Sequence, residues 1–424
     1  MKELIRVGYI GLGRRGWGII KILMQMTDVK IKTICDLKQC FIDRALGEFE
    51  KNGIEKPAVT MDYHDILRDP EIDAVFIMTG WGAHVQLSKE SMLAGKYTGV
   101  EVGCAYTLSQ CYELLDTYEK TGSPLMMLEN ACYGRRELMA LNMERMGALG
   151  EVVHCKGGYQ HNLYTCDLFM KNEATGEVET DHYRLIEYAN RNCHQYPTHD
   201  FGPISKLLHI NRGNRIMTLS SFASKARGLS EYIKENISPD HPFYNTQFRQ
   251  GDIVTTVMTC ANGETVTLEL DTTLPRPYYS RNFTVRGTKG CVFEERRAVF
   301  FEGMEEPVEN NEESFYEKYD HPLHAEYSKM EARGGHGGLD WLTIRAFVES
   351  VKNGTQTPID IYDTCLWMSI APLSEMSIAK GGAVIDVPDF TKGNWFKREP
   401  LAKGKYCLDE VVEDHGTPIF PELK

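Results

Sequence analysis

Residues 7–18, VGYIGLGRRGWG, set Gly11, Gly13 and Gly16 in GxGxxG spacing between a strand-like run and a helical run. In such a turn Gly11 permits the tight bend, Gly13 lets the backbone approach a pyrophosphate, and Gly16 allows close packing of helix on strand. The positive end of the helix then attracts phosphate. The turn, including Leu12, therefore predicts a dinucleotide site, with an ordinary strand-to-helix turn as the alternative.

Asp36 strengthens this prediction because it closes the next strand-like run, TICD, twenty residues after Gly16. A carboxylate there accepts hydrogen bonds from the adenosine ribose hydroxyls and repels a 2'-phosphate, which favours NAD over NADP. Lys38, two residues further on, keeps NADP open. Arg14 and Arg15 are candidate phosphate ligands, with solvated positions on the helix surface as the alternative.

Up to about residue 130, short apolar runs alternate with helical patterns, which predicts a parallel, doubly wound Rossmann domain over residues 1–130. Ligands of such a sheet bind at the carboxyl ends of its strands. The apolar runs are RVGYI, KIKTIC, DAVFIMT, YTGVEV and PLMML.

Residues 131–424 change character, with longer runs rich in Val, Thr, Tyr and Phe such as GDIVTTVMTC and ETVTLELDTT. Turn signals at Asn262-Gly263 and Lys289-Gly290 separate these runs, so we predict an α+β domain with a large, mostly antiparallel sheet. Helices are expected near residues 202–210, 340–354 and 362–382, and the tail after them is expected to be irregular.

The composition limits the possible partners. The chain has 424 residues and a formal charge of −13, which disfavours binding to nucleic acid or anionic lipid. It contains no long apolar run and opens without a leader-like segment, so we expect a cytoplasmic protein that does not span a membrane. The twelve cysteines form no CxxC pair, so we predict reduced thiols. The chain also has no HExxH pair, and we predict no metal site.

Two further motifs, MTGWGAH at residues 78–84 and VEVG at residues 100–103, complete a resemblance to the Gfo/Idh/MocA oxidoreductases. Those enzymes usually carry Glu-Lys-Pro where this chain has Glu101, Val102 and Gly103. Their lysine assists the proton of a substrate hydroxyl during hydride transfer, which valine cannot do. The resemblance therefore implies the fold and NAD, but it weakens the prediction of a plain sugar dehydrogenase.

The chain resembles glycoside hydrolase family 109 more closely, the NAD-dependent α-N-acetylgalactosaminidases, which also lack the lysine. The matching runs are GLGRRG, LENACYGRRE, CKGGYQHNL, YPTHDFGP, PYYSRNFTVRGTKG and GHGGLDW. This resemblance implies a mechanism in which the sugar is oxidised at C3, loses its C2 proton and C1 substituent, gains water and is reduced again. It also implies five catalytic residues: Glu129, Tyr159, Tyr196, His199 and Tyr278. Tyr279, which follows Tyr278, is the alternative for the last of these positions.

Each of these residues has an alternative interpretation. His199, on a turn before a helix, could assist a sugar hydroxyl or the departing oxygen, or be a structural histidine. The tyrosines could serve as acid, base or stacking surface, or simply pack in a core. For Glu129 we expect burial to raise the pKa and suit it to proton transfer; the alternative is an ion pair with Arg135 or Arg136.

The remaining expectations concern the surroundings of the site. Trp81, His84, Glu101 and Val102 are predicted around the nicotinamide, and His336 either lines the sugar pocket or is exposed at a helix entrance. Residues 162–194 are predicted to shape the leaving-group side, and the acidic segment 302–320 to be a solvated loop rather than a cation site.

We expect a carbohydrate substrate and a homo-oligomer formed through the second-domain sheet. The competing functions are a net sugar or inositol dehydrogenase and a non-catalytic NAD-binding protein.

Overall fold

The computed structural model of the chain describes residues 2–171, 178, 180, 182–330, 334–398, 402 and 404–409. It contains one six-stranded and one eight-stranded sheet, and this arrangement confirms the predicted fold class. Part of the expected leaving-group loop (residues 172–177, 179 and 181) and the end of the tail (410–424) lie outside the described residues.

The first sheet is parallel, with strand order β3-β2-β1-β4-β5-β6. The order reverses between β1 and β4, so a crevice for ligands opens at the carboxyl ends of these two strands. The short, partly exposed third strand has no apolar run, and for that reason the sequence pattern did not predict it. The strands are β1 (Ile5–Ile10), β2 (Val29–Cys35), β3 (Ala58–Thr60), β4 (Ala74–Ile77), β5 (Tyr97–Val100) and β6 (Leu125–Met127).

Helices connect these strands and cover the sheet on both faces, as right-handed crossovers require. Two of them, α1 and α4, begin directly after the carboxyl ends of the two central strands, at Arg14 and Trp81. The helices of this part are α1 (Arg14–Leu23), α2 (Gln39–Lys51), α3 (His64–Arg68), α4 (Trp81–Leu93) and α5 (Leu108–Thr121).

The second sheet has strand order β13-β12-β11-β7-β10-β9-β8-β14, and only the β7–β10 pair among its neighbours is parallel. Asn262-Gly263 joins β9 to β10 and Lys289-Gly290 joins β11 to β12, as predicted. Its strands are β7 (Val152–Gln160), β8 (Ile216–Ala223), β9 (Ile253–Cys260), β10 (Thr265–Asp271), β11 (Thr284–Gly287), β12 (Gly290–Phe293), β13 (Ala298–Phe301) and β14 (Ile385–Asp386).

One face of this second sheet packs on helices, and the other exposes apolar side chains, including Phe222 at 58% and Val257 at 43%. The homo-oligomer expected from the sequence would form through this exposed face. That interface stays a prediction.

The helices of the second part bring the two sheets together. α8 packs on β7, α12 returns to pack on α1 and β1, and α13 lies between α5 and β8. The expected helices are present, but α8 begins at Pro197, so His199 lies in its first turn and not on a preceding turn. These helices are α6 (Arg135–Arg145), α7 (Tyr183–Asn190), α8 (Pro197–Leu207), α9 (Gly228–Asn236), α10 (Glu313–Tyr319), α11 (Pro322–Tyr327), α12 (Leu339–Asn353) and α13 (Ile361–Ala379).

Three features are absent from the described ranges of the chain. There, no helix is long and apolar enough to cross a membrane, no two cysteines form a disulfide, and no group of three or more His, Cys, Asp or Glu side chains could hold a metal ion. The acidic segment 302–320 is not simply solvated, because Glu312 and Asp320 form ion pairs with Arg136 and Arg135 and expose only 4% and 8% of their side chains. Its charges are therefore partly neutralised by helix α6.

Candidate active site

The turn between β1 and α1 has the three glycine environments that the spacing predicts. Gly11 has φ of +98°, and a Cβ on Gly16 would lie 2.1 Å from the Gly11 carbonyl oxygen. A Cβ on Gly13, by contrast, would meet no atom within 4 Å in the described part of the chain. Helix α1 also starts without a side-chain cap, so its N-cap residue supplies no acceptor for the first amides. The turn can therefore accept a pyrophosphate.

Asp36 lies at the end of β2 beside this turn. One carboxylate oxygen accepts a hydrogen bond from the Leu12 amide at 2.7 Å and the other from the Lys38 amide at 2.8 Å. Each oxygen keeps a further lone pair for a hydroxyl donor. The Lys38 ammonium lies over the Phe41 ring, 5.3 Å from its centroid. The arrangement fits a ribose with free hydroxyls.

The two arginines of the turn are both engaged by protein groups. Arg15 donates through Nε to Glu101 at 2.8 Å and through Nη1 and Nη2 to Asp340, also at 2.8 Å. Arg14 is 63% exposed at its side chain and lies 4.0 Å from Asp167. The structure thus places Arg15 in a carboxylate network rather than on a solvated helix surface.

Val102 occupies the position of the missing lysine and is 3% exposed. The next residue, Gly103, has φ of +79°, and a Cβ there would lie 2.3 Å from the indole Nε1 of Trp81. The indole therefore needs a glycine at this point, and it fills space beside the position that carries lysine in the related oxidoreductases. From there Trp81 reaches the second domain, with its ring centroid 5.9 Å from that of Tyr196.

His199 and Glu129 form the ionisable pair of the site. The imidazole Nδ1 lies 2.8 Å from both carboxylate oxygens of Glu129, whose side chain is fully buried. Glu129 Oε1 also accepts from the Ala131 amide at 2.8 Å. An ionised carboxylate only accepts hydrogen bonds, so His199 Nδ1 carries a proton in the contact with Glu129, and Nε2 is the ring nitrogen left to exchange a proton.

The expectation that Glu129 has a raised pKa is wrong. Burial does raise the pKa, but the charge and hydrogen bond of His199, with help from Thr198 and the Ala131 amide, outweigh burial and lower it. The alternative partners Arg135 and Arg136 bind Asp320 and Glu312 instead. Glu129 is therefore a fixed anion that orients His199, and not a proton donor near neutral pH.

Aromatic rings surround this pair. The rings of Tyr159 and Tyr196 stack with centroids 4.3 Å apart, and His199 meets them edge-on at 5.4 Å and 4.9 Å. Burial raises the pKa of both phenols well above the ordinary value. Both tyrosines are consequently protonated near neutral pH and can act as hydrogen-bond donors.

Of the two adjacent tyrosines, Tyr279 is the one brought to the cluster. Its ring centroid lies 6.4 Å from that of Tyr159 and 5.1 Å from that of His161. Tyr278 is 55% exposed and makes no ring contact with the cluster within the described part of the chain. The geometry favours Tyr279 over Tyr278 as a member of the aromatic cluster.

Arg184 is the main residue that sequence reasoning missed. Its guanidinium carbon lies 4.9 Å from the Trp81 ring centroid and 4.8 Å from that of Tyr196, and its Nε is 2.9 Å from Asp167 Oδ2. Burial lowers the pKa of Arg184, but Tyr183, Asp167 and the site tyrosines raise it well above the ordinary value. The available signal was an arginine on the apolar face of helix α7, four residues before buried Tyr188.

Two predicted histidines lie outside the cluster. His84 is fully buried, bonds through Nε2 to the Thr79 carbonyl at 2.9 Å, and has a pKa lowered to about 4 by burial. It is a neutral packing residue of α4. His336 is 66% exposed at the entrance to α12, with Nδ1 2.9 Å from Asp340, so the exposed alternative describes it better than a pocket wall.

Comparison with known proteins agrees with this geometry. A family model described as "Glycosyl hydrolase 109, C-terminal domain" matches residues 133–397, and one described as "Oxidoreductase family, NAD-binding Rossmann fold" matches residues 5–129. A "Glycosyl hydrolase family 109 protein" of Parabacteroides distasonis is 38% identical over 93% of this chain and 89% of its own length. An "Alpha-N-acetylgalactosaminidase" of Tannerella forsythia is 38% identical over 94% of this chain and 88% of its own length.

Solved structures with the same fold are more distant. A levoglucosan dehydrogenase in complex with NADH and L-sorbose superposes with a TM-score of 0.65 at 18% identity, over 91% of this chain and 100% of its own. At this identity the likeness supports the two-domain fold, and the activity must be argued from the site.

Proposed function

The chain belongs to glycosyl hydrolase family 109 and carries an NAD-binding Rossmann fold, and from that premise we propose that it hydrolyses terminal α-linked N-acetylgalactosamine with NAD retained. The carbohydrate substrate follows from its membership among glycosidases. The particular sugar is taken from the printed name of the Tannerella forsythia relative.

One observation carries the proposal: His199 is held by a buried carboxylate and meets the stacked rings of Tyr159 and Tyr196 edge-on. The Nδ1 to carboxylate distance of 2.8 Å and the ring distances of 4.9 Å and 5.4 Å place one exchangeable proton among sugar-binding groups. A paired-carboxylate glycosidase needs two facing acids, whereas here Glu129 is already committed to His199.

The residues around the glycine turn fit NAD. The open space at Gly13, the uncapped start of α1 and the Asp36 carboxylate would hold its pyrophosphate and adenosine ribose. NAD supplies, when bound, a reversible exchange of hydride with a sugar carbon, so that no net oxidation results. NAD-dependent glycosidases are an exception to the two-carboxylate mechanism of most glycoside hydrolases, so a second facing acid is not required.

The protein groups divide the remaining work. His199 Nε2 takes a proton from a sugar hydroxyl or returns one to the departing oxygen, and ionised Glu129 stabilises the imidazolium that forms. Tyr159 and Tyr196 donate hydrogen bonds to sugar oxygens. Arg184 stays charged and cannot exchange a proton, so it orients the substrate and does not replace the lysine of the related oxidoreductases.

The test is a hydrolysis in D2O with 4-nitrophenyl N-acetyl-α-galactosaminide as substrate. We expect released N-acetylgalactosamine to carry deuterium at C2, because the proposed route removes that proton before the C1 bond breaks. Nuclear magnetic resonance of the product measures the label, and absorbance of the reduced nicotinamide measures net oxidation, which should stay flat.

Free N-acetylgalactosamine incubated with the protein is the control, because exchange into the finished product would also label C2. Hydrolysis with the C2 proton fully kept would contradict the mechanism. Steady accumulation of NADH without cleavage would instead indicate the competing dehydrogenase function, and nucleotide binding with no turnover would indicate a non-catalytic protein.

Asp167→Asn is expected to raise the KM for this glycoside about tenfold, the order of a close ion pair that loses one of its charges, with a smaller change in kcat. Asp167 holds Arg184 through the 2.9 Å contact to its Nε. Burial raises the pKa of Asp167, but Arg184 and His182 lower it to about 2, so the pair is intact across the neutral range. Steady-state kinetics at saturating NAD measure the effect.

Asp320→Asn is the matched control, because Asp320 binds Arg135 with a similar distance of 2.7 Å but away from the rings around His199. It should leave KM unchanged. Equal KM values for Asp167→Asn and the unaltered protein would show that Arg184 needs no restraint from Asp167, or does not contact the substrate.

A further inference from the structure

Asp340, in the first turn of α12, lies where three distant chain segments meet. It is 3% exposed, and its two carboxylate oxygens accept from Arg15 Nη1 and Nη2 at 2.8 Å. Asn130 Nδ2 donates to Oδ1 at 2.7 Å, and His336 Nδ1 lies 2.9 Å from Oδ2. Four nitrogen atoms from three side chains thus surround this buried carboxylate.

One branch of this network leads to the nucleotide turn. Asp340 binds the two terminal nitrogens of the Arg15 guanidinium. The remaining nitrogen, Nε, donates to Glu101 at 2.8 Å. Among the described residues, Glu101 otherwise accepts only from the adjacent Val102 amide, at 3.2 Å. It is therefore oriented but keeps lone pairs for hydroxyl donors, which is the state needed by a residue that binds a ribose.

The other branch leads to the ionisable pair of the site. Asn130 directly follows Glu129, and its side-chain amide is fixed by Asp340 at 2.7 Å. The Glu129 carboxylate in turn holds His199 at 2.8 Å. A shift of Asn130 would move the backbone that carries Glu129, and His199 would then lose its orientation.

We propose that Asp340 is a positioning residue that sets the cofactor-side Glu101 and the sugar-side Glu129–His199 pair at a fixed separation. The identities of the two ligands rest on the proposed function. The physical reason is that hydride and proton must leave neighbouring atoms of one sugar, so errors of about 1 Å between the two groups are costly. A bidentate carboxylate held by four donors gives the required rigidity.

Asp340→Asn tests the proposal, because it keeps the shape of the side chain and removes its charge. We expect the Kd for NAD to rise about 10- to 100-fold, the range for a lost charged hydrogen bond near a ligand, and kcat at saturating NAD to fall. Nucleotide binding is measured by titration of the nucleotide-free protein with NAD, without any glycoside, so failure of the proposed glycosidase function would not affect this readout.

Asp28→Asn is the matched control. Asp28 is bound as a fork by Arg345 of α12, with both distances 2.7 Å, and lies outside the site. It should lower the unfolding temperature as Asp340→Asn does but leave NAD affinity and kcat unchanged. Equal NAD affinity and equal kcat in the two variants would overturn the proposal and leave Asp340 a purely structural anchor.

Two further variants separate the branches and serve if Asp340→Asn fails to fold. Arg15→Lys keeps the charge but loses the paired hydrogen bonds to Asp340. It should weaken NAD binding with a smaller effect on the pH profile of kcat. Asn130→Ala leaves Arg15 on Asp340, and should lower kcat without changing NAD affinity. If Asn130→Ala and Arg15→Lys changed the same parameter by the same factor, the two-branch arrangement would be wrong.

Discussion

His199→Gln is expected to lower kcat for the glycoside by about 10²- to 10⁴-fold, the usual range for loss of a positioned acid or base. Glutamine can keep a hydrogen bond to Glu129, which lies 2.8 Å from Nδ1 in the unaltered protein. It cannot exchange a proton at the position of Nε2. The loss should therefore appear in kcat more than in KM, and bound NAD should be retained.

His154→Gln is a matched control on the far face of the second sheet. His154, in β7, is partly buried and bonds to Thr265 Oγ1 at 2.8 Å, so the exchange removes a half-buried imidazole from a site without the proposed chemistry. It should keep full kcat. Should His199→Gln also keep more than half of the activity, the imidazole would not carry the proton.

The glycine turn could be predicted from sequence because its requirements are local. The bend at Gly11, the open side of Gly13 and the close packing at Gly16 are separated by at most five residues, and Asp36 follows one strand later. The alternation of apolar runs likewise predicted the parallel sheet, because each crossover is a short unit of strand and helix.

The chemistry at Glu129 could be predicted only in part. The resemblance pointed to both Glu129 and His199, but they are seventy residues apart, and nothing in the sequence says that they touch. Burial alone argued for a raised pKa. The bond to His199 reversed that direction, so the role of Glu129 changed from proton donor to fixed anion.

The contacts of Arg184 and Asp340 could not be predicted because they are set by tertiary packing. Arg184 enters the aromatic cluster from helix α7, in a segment with no motif, and Asp340 binds Arg15 across 325 residues of sequence. A buried charge must find its partners wherever the fold places them. For such residues only the assembled chain shows which side chains meet.

Gly13→Ala is expected to weaken NAD binding roughly 100-fold, about 2.7 kcal/mol, without loss of stability. Its Cβ would meet no described protein atom within 4 Å, and the residue has φ of −59°, so the methyl group fits the protein itself. It would project into the space where a pyrophosphate must approach the backbone. Titration with NAD and thermal unfolding measure the two effects separately.

Two neighbouring glycines provide controls of opposite kind. A Cβ on Gly18 also meets nothing within 4 Å among the described residues, but it lies on the exposed side of α1, so Gly18→Ala should keep NAD affinity and gain stability by up to about 1 kcal/mol. A Cβ on Gly16 would lie 2.1 Å from the Gly11 carbonyl oxygen, so Gly16→Ala should lose stability. Equal NAD affinity in Gly13→Ala and Gly18→Ala would contradict the assigned pyrophosphate position.

Gly13→Ala also decides whether hydrolysis depends on the nucleotide. If the sugar must be oxidised before its C1 bond breaks, glycosidase activity of Gly13→Ala should fall in proportion to its nucleotide content and return when excess NAD is added. His199, Glu129 and the tyrosines remain intact in this variant, since the substitution lies in the glycine turn. Full hydrolysis by nucleotide-free Gly13→Ala would therefore show that these side chains cleave glycosides unaided, and the proposed chemistry would fail.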